Sequence, residues 1–396
     1  MSPQSARTAR RAVAAMFLAN GALMGAWAPQ IPLLLPRHGI TESVLGLLIL
    51  VLGLGAVSAM LFTGRLIAAR GSVPVLKTFA LASLPVLALV VLAPSLWLLA
   101  LAMAAFGALI GSMDVAMNAN AVEVERRLGR AIMSSSHGFW SLGGFVGGTA
   151  GSWLIARFGA EAQVLGITAA IAAVVLLALP HLAGEPPHPR DPQAEAPHGP
   201  LIPRDPGLWL LGALALFCMV PEGAVLDWAA IYMGKELLAS PFVAGLGFAL
   251  FSGAMAVMRF AGDGVRNRFG AVATLRGSGL LGAGGMMIAA AAPHPTVALA
   301  GFAMAGLGVA NMVPIMFSAA GNWPGHAAGA AISTVTMVGY AGILIAPSSI
   351  GWLAEHLGFR PTYAGLSLLL LVVTALAGRA AKADDLQRHA APGTHA

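Results

Sequence analysis

Twelve stretches of this chain are apolar over close to 20 residues or more, the length a helix needs to cross the roughly 30 Å hydrocarbon core of a bilayer. They fall at 11–36, 44–63, 74–94, 96–118, 131–155, 162–182, 207–232, 241–261, 271–292, 296–319, 329–352 and 361–379. In lipid no water can satisfy the backbone, so such stretches must become helices, and the expected class is an all-α integral membrane protein. Composition agrees: 10% of residues are charged, against about 25% in soluble domains. The net charge of +6 does not point to nucleic acid, because the basic residues are scattered between apolar runs without interleaved aromatics. The single Cys218 can form no intrachain disulfide. The first stretch is too long, and too rich in Pro and polar residues, to read as a cleaved signal peptide.

Lys and Arg placement predicts orientation. With the N-terminus cytoplasmic, seventeen of the 22 basic residues fall inside and four (Arg37, Arg157, Lys235 and Arg360) outside, with Arg259 near a helix end. Both termini are then cytoplasmic. Residues 183–206, crowded with Pro and charge, cannot be helical and read as a cytoplasmic linker. The expected plan is a six-helix bundle over 1–182, the linker, a second six-helix bundle over 207–380, and a cytoplasmic tail over 381–396. A shift of 199 residues overlays the two halves: Gly107 meets Gly306, Gly143 meets Gly342, Trp153 meets Trp352 and Gly159 meets Gly358. Paired Trp and repeated Gly without a gap indicate a duplication.

The loop after the second stretch repeats as well. "FTGRLIAARG" (62–71) parallels "FAGDGVRNRFG" (260–270). Here the chain resembles the major facilitator superfamily, whose signature loop between its second and third helices has this Gly-rich, basic form. The resemblance assigns cytoplasmic gating to Gly64, Arg65, Arg70 and Gly71, and to Arg259, Gly262, Asp263 and Arg266. The family's usual acidic residue is absent at Ala68, and the second copy keeps Asp263. "DVAMNANAVEVE", "MSSSHGFWSLGG" and "PEGAVLDWAAIYM" resemble a bacterial subgroup that includes a permease from rhizopine gene clusters. The resemblance implies twelve helices in two pseudo-symmetric bundles, with helices 1, 4, 7 and 10 lining a central cavity.

The polar residues inside the stretches carry the functional reading. Under the 199-residue shift Asp114 maps to Val313, Asn118 to Phe317 and His137 to Thr336, so the repeated scaffold does not require them. A charge at a helix centre costs about 2.5–3.5 kcal/mol on insertion scales. Glu222, in "MVPEGAVLDWAAIYM", falls near mid-membrane after Pro221, where a broken helix lining a cavity is expected. Asp114 is expected about 6–10 Å inside the cytoplasmic end, either functional or paired with Arg126 or Arg130. Asp227 falls near the outer interface, where a structural or gating role fits equally well. A carboxylate removed from water protonates readily, because its charged form loses hydration. Glu222 is therefore the first choice for proton coupling, then Asp114, then Asp227. Asn20, Gln30, Asn118, His137 and Asn311 are candidate hydrogen-bonding partners for a solute, with Trp27 and Trp140 as apolar walls. Packing alone also explains His137, and interhelical hydrogen bonds also explain Asn20 and Asn311.

Trp97, Trp153, Trp209, Trp228, Trp323 and Trp352, near stretch ends, read as interface anchors. Gly143, Gly147 and Gly151, with Gly144 and Gly148, form small-xxx-small rows that predict close helix packing. No Gly-Lys-Ser phosphate loop, metal-ligand spacing or Gly-x-Ser-x-Gly turn appears, so neither ATP, a metal nor another cofactor is expected. The expected function is secondary transport of a small polar solute, coupled to protons, by a monomer in the bacterial inner membrane. The alternatives are export of amphipathic compounds or drugs and a non-transporting receptor. An enzyme is not expected.

Overall fold

The computed structural model describes residues 3–128, 132–183, 204–324 and 328–384. Most of the expected linker and tail lies outside those residues. In chain order the helices are α1 (Pro3–Trp27), α2 (Ile31–His38), α3 (Glu42–Arg70), α4 (Ser72–Ala82), α5 (Val86–Val91), α6 (Leu96–Leu128) and α7 (Met133–Phe158). Then come α8 (Ala160–Ala178), α9 (Pro206–Glu236), α10 (Pro241–Ala291), α11 (Pro295–Val309), α12 (Met312–Gly321), α13 (Ala328–Leu357) and α14 (Phe359–Ala375). Among the described residues nine helices are long and apolar enough to cross a membrane, or ten if α14 and the short helix bent 56° from it count as one span. The expected fifth and ninth stretches fall on α7 and on the second limb of α10. The Ser, His and Gly content of α7 dilutes its apolar character.

Several helix starts follow from local chemistry. Asp205, Ser240 and His294 cap α9, α10 and α11 with side-chain acceptors, and Pro occupies the first helical turn of each. A cap satisfies a backbone N–H that has no partner inside the helix, and Pro there gives up nothing. Breaks follow from proline too. Pro314 has no N–H to offer the carbonyl of Ala310, and the tenth stretch separates into α11 and α12 at Ala310–Asn311. At Pro221 the expected break does not occur, because α9 runs unbroken from Pro206 to Glu236.

The duplication is visible in the backbone itself. The described residues with positive φ are Gly39, Gly71, Gly159, Leu238, Gly270 and Gly358, and each in the first half lies 199 residues before one in the second. Gly71 (φ 80°, ψ 165°) ends α3, and Gly270 (φ 76°, ψ 165°) kinks α10 at the matching place. The loop expected at 62–71 is thus mostly helix: Gly64, Arg65 and Arg70 belong to α3, and only Gly71 makes the turn. Gly262 and Arg266 are likewise helical within α10; the Asp263 side chain lies outside what the structure describes.

Leu238 is the one non-glycine of the six. Its left-handed conformation costs about 1–2 kcal/mol, partly offset in a glycine by about 0.5–1 kcal/mol of lost chain entropy. The side chain is exposed, so Leu238→Gly removes strain and little packing. We expect its melting temperature in detergent to rise by about 1 °C; a clear fall would mean that Leu238 packs in a way its exposure conceals.

Within each half the helices approach at glycine. On α7, a Cβ on Gly143 or Gly147 would land on the carbonyl oxygen of Leu18 or Ala22 in α1. The other row turns to the second half, where a Cβ on Gly144 would strike Ser252 and one on Gly148 would press on Ala249, both in α10. The two halves therefore meet at α7 against α10, and again at α3 against α13. Trp97, Trp153, Trp209 and Trp352 are exposed, as interface anchors would be. Trp228 is not: it is fully buried, packing on Phe359. Trp323 is half-buried and donates to Asp205 at 3.0 Å.

Candidate functional site: a cavity at the seam between the halves

Two connected chambers occupy the middle of the bundle. One of about 410 Å³ is lined by His137, Met219, Glu222, Arg259, Arg266 and Asn311, among others. The other, of about 310 Å³, is lined by Asn20, Asp114, His137, Trp140, Glu222 and Arg259, among others. His137, Met219, Glu222 and Arg259 belong to both walls. Volumes of this order suit a small solute.

Glu222 stands at the middle of the 31-residue α9. Its neighbour Gly223, also on a chamber wall, has nothing within 4 Å of where a Cβ would stand. Across from it, Arg259 brings Nη2 to 3.7 Å from Glu222 Oε2, a charge contact rather than a hydrogen bond. Arg259 Nη1 donates to Ser141 Oγ at 2.6 Å, and Ser252 Oγ to the Ser141 carbonyl at 2.8 Å. Both bonds run from α10 to α7, hence between the halves. Charge distribution alone had left Arg259 near a helix end, among gating residues. Its side chain instead reaches the chambers and is only 15% exposed.

Of the residues singled out for solute binding, Asn20, His137, Trp140 and Asn311 line the chambers. Trp140 Nε1 donates to Asn20 Oδ1 at 2.9 Å, and Asn20 Nδ2 reaches the Ile110 carbonyl at 3.3 Å. The His137 ring meets Phe17 edge-on with centroids 5.3 Å apart. Asn311 sits at the break between α11 and α12, and its Nδ2 is buried with no partner among the described residues. A Cβ on Gly262 would collide with that amide, so glycine there lets α10 and Asn311 come together. Asp114 is on the chamber wall, held by Asn118, whose Nδ2 lies 3.3 Å from its Oδ1 and 2.9 Å from its carbonyl. The side chains of Arg126 and Arg130, expected as alternative partners, lie outside the described residues.

Four expected site residues are elsewhere, the first being Asn118, whose amide is taken up by Asp114 and which lines neither chamber. Gln30 Nε2 donates to Gln163 Oε1 at 2.6 Å and to the Ala160 carbonyl at 3.0 Å, fastening the start of α8. A buried amide that finds complementary amides packs as structure. Trp27 is fully buried, edge-on to Phe106 at 5.6 Å, in the core rather than on the cavity wall. Asp227 is buried beside Trp27 and lines neither chamber.

At the end of the bundle bearing Lys235 the halves are fastened together by residues that composition and motifs give no reason to single out. Glu42, at the start of α3, pairs with Lys235 near the end of α9. Glu355, near the end of α13, accepts from the backbone N–H of Ser43 at 2.9 Å. At the opposite, arginine-rich end Arg10 donates to Ser135 at 2.6 Å, and Arg266 to Ser318 at 3.0 Å and to the Ala383 carbonyl at 2.6 Å, each bond lying within its own half.

A multi-pass helical membrane protein, built of two repeated halves that enclose a solute-sized cavity at their seam, is a transporter in architecture. The chain belongs to the Major Facilitator Superfamily, whose family model matches residues 13–232 and 223–395. It is similar to an uncharacterized MFS-type transporter of Yersinia pestis, 38% identical over 362 residues, 91% of this chain and 93% of that one. It is also similar to the membrane protein MosC of Rhizobium meliloti, 31% identical over 92% of this chain and 87% of the relative. Among solved structures, the human organic anion transporter MFSD10 superposes with a TM-score of 0.70 at 16% identity, covering 95% of this chain and 100% of that chain. A D-xylose-proton symporter gives 0.70 at 14% identity, covering 93% and 96%. At such identities these structures show the fold alone. The protein is a secondary transporter in a membrane, and not an enzyme.

Proposed function

We propose that the chain moves a small polar solute across the bacterial inner membrane by alternating access, coupled to protons through Glu222. The observation that carries this reading is a carboxylate at the middle of a membrane helix, facing both chambers and touching an arginine of the inter-half seam. Under the 199-residue shift Glu222 maps to Leu23, so the scaffold does not demand that group, and a carboxylate left unpaired at that depth is costly. A proton on Glu222 would remove the charge that faces Arg259, so its charge state and the seam are linked. Asp114 is the second candidate for the proton, and Asp227 is assigned to the closed barrier. Asn20, His137, Trp140 and Asn311 are assigned to solute contact.

The excess of Lys and Arg at the end bearing the N-terminus supports both termini being cytoplasmic. In that orientation the chambers extend toward the cytoplasm, past Arg266 and Asn311. Glu42–Lys235 and Ser43–Glu355 shut the outer side, which describes an inward-facing state. Opening outward requires those contacts to part while α7 and α10 pivot on their glycine face.

Purified protein in liposomes tests the reading. With an inward proton gradient, at least one sugar, polyol, amino acid or organic acid should enter saturably, and a protonophore should abolish accumulation. Saturable outward pumping of lipophilic dyes instead would replace solute uptake with export. Tight solute binding without flux of either kind would make the chain a receptor.

A further inference from the structure

The cavity carries a fixed positive charge, and that charge narrows the solute. We propose that the solute bears a compact oxyanion, a carboxylate or its chemical equivalent, which docks on Arg259 and Asn311 in the place Glu222 now takes. The inference rests on reading this cavity as the solute site and adds the chemical class of its occupant.

A guanidinium stays protonated under any physiological condition, so Arg259 brings a permanent charge to a poorly hydrated place and requires an anionic neighbour. In this structure the neighbour is Glu222, at 3.7 Å. That distance holds two charges together without the short, paired N–H···O geometry that a guanidinium fork makes with a carboxylate, ordinarily about 2.7–2.9 Å. Ser141 holds one nitrogen of the guanidinium at 2.6 Å and fixes the group at the seam.

The other charged groups on the chamber walls are Asp114 and Arg266. Asp114 is engaged by Asn118, and Arg266 donates to Ser318 and Ala383 near the mouth. His137 stands edge-on to Phe17. Two guanidiniums thus line the 410 Å³ chamber, with Glu222 as the acid on its wall.

Asn311 is the second and independent observation. The residue lines the same chamber as Arg259, and its side-chain nitrogen, packed against Gly262, is buried with no partner among the described residues. A buried donor left unpaired costs about 1–3 kcal/mol, a cost that a solute oxygen removes once the amide turns into the chamber. A neutral hydroxyl could satisfy Asn311 but could not replace Glu222 at Arg259. A cation would have to displace Arg259 from Glu222 and would meet Arg266 as well. An oxyanion offers a charge to Arg259 and an acceptor to Asn311.

Docking of the anion would leave Glu222 ionised beside a second negative charge, unless Glu222 takes a proton from water onto its carboxylate. Anion entry and proton entry are then the same event, and a monoanion crosses with no net charge.

The test is a thermal-shift screen of the purified full chain against carboxylates, phosphates, sulfonates, sugars, polyols and amines. Each carboxylate that stabilises is then titrated beside its own carboxamide. We expect the strongest stabilisers to be oxyanions, and the carboxamides to bind about 10- to 150-fold more weakly, the equivalent of one charge-assisted contact. Arg259→Gln should weaken the anion by a similar factor, with Arg259→Lys between the two. Glu222→Gln, which removes the internal competitor, should bind the anion more tightly than the parent protein. Strongest binding by neutral or cationic compounds, no stabilisation by any anion, or carboxamides equal to carboxylates would each overturn the proposal. If Arg259→Gln does not fold, the carboxamide comparison and the Glu222→Gln titration still decide. Proton-driven accumulation of a neutral solute would leave the transport reading standing and sink this one.

Discussion

Glu222→Gln should bind solute and exchange it across the membrane, yet fail to accumulate it under an imposed pH gradient. Gln has nearly the same volume and keeps a polar contact with the chamber, so the walls described above should survive. It cannot ionise. With the carboxylate gone, Arg259 loses the counter-charge that Glu222 supplies at 3.7 Å, and no proton can be carried from one side to the other on that group. Concentrative uptake should fall to the level of equilibrated exchange, a loss of at least about tenfold, since a tenfold gradient represents about 1.4 kcal/mol of coupling. Counterflow in liposomes preloaded with unlabelled solute should persist. Asp114→Asn separates the alternatives, because Asp114 is on the same chamber wall but held by its own neighbour Asn118. If Asp114→Asn loses accumulation while Glu222→Gln retains it, the coupling group belongs to α6. Full accumulation by both variants would remove proton coupling from these carboxylates altogether.

The legibility of this fold in its sequence divides along a physical line. Features set by one helix at a time were legible. The apolar stretches had to be helices, the 199-residue shift was written in Gly and Trp, and the glycine rows of α7 had to meet close neighbours. The shift reaches further than its first markers suggested, into the left-handed turn at Gly39 and Leu238, where the residue types no longer match and only the backbone does.

Features that need two helices at known heights were not legible. Gln30 looked like a cavity residue because its partner Gln163 is on another helix, a contact no local pattern announces. Arg259 was placed by counting from a stretch end, but its long side chain reaches inward to Ser141 rather than outward to water. Pro221 and Pro314 were open to the same argument, yet only the second coincides with a break, at the wall of a chamber. Neighbouring packing decides whether the carbonyl a proline abandons is left to open the helix. The ties Glu42–Lys235 and Ser43–Glu355 required knowing which ends meet in this state.

Gly147→Leu should remove most of the folded protein. The backbones of α7 and α1 already touch there, with the Ala22 carbonyl where a Cβ would stand. Four carbons in that space must push α1 away and undo its contact with α7 along the whole interface. Overpacking a tight core by even a few methylenes costs about 1–3 kcal/mol, and here the obstacle is backbone, which cannot rotate aside. Size-exclusion profiles of a fluorescent fusion in mild detergent would read this as a collapsed monomer peak. Gly144, three residues earlier, supplies the contrast. Its missing Cβ faces the Ser252 side chain of α10, across the seam. A side chain can move and the halves must separate there during the cycle, so Gly144→Ala should fold but shift the resting state. Its expected signature is a near-normal monomer peak with slowed exchange. If Gly147→Leu gives normal yield and normal flux, the row faces lipid or open cavity and α1 does not pack on it. Equal loss of folded protein in both variants would instead mean that the α7–α10 face is as fixed as the α7–α1 face, and a pivot at that seam would have to be abandoned.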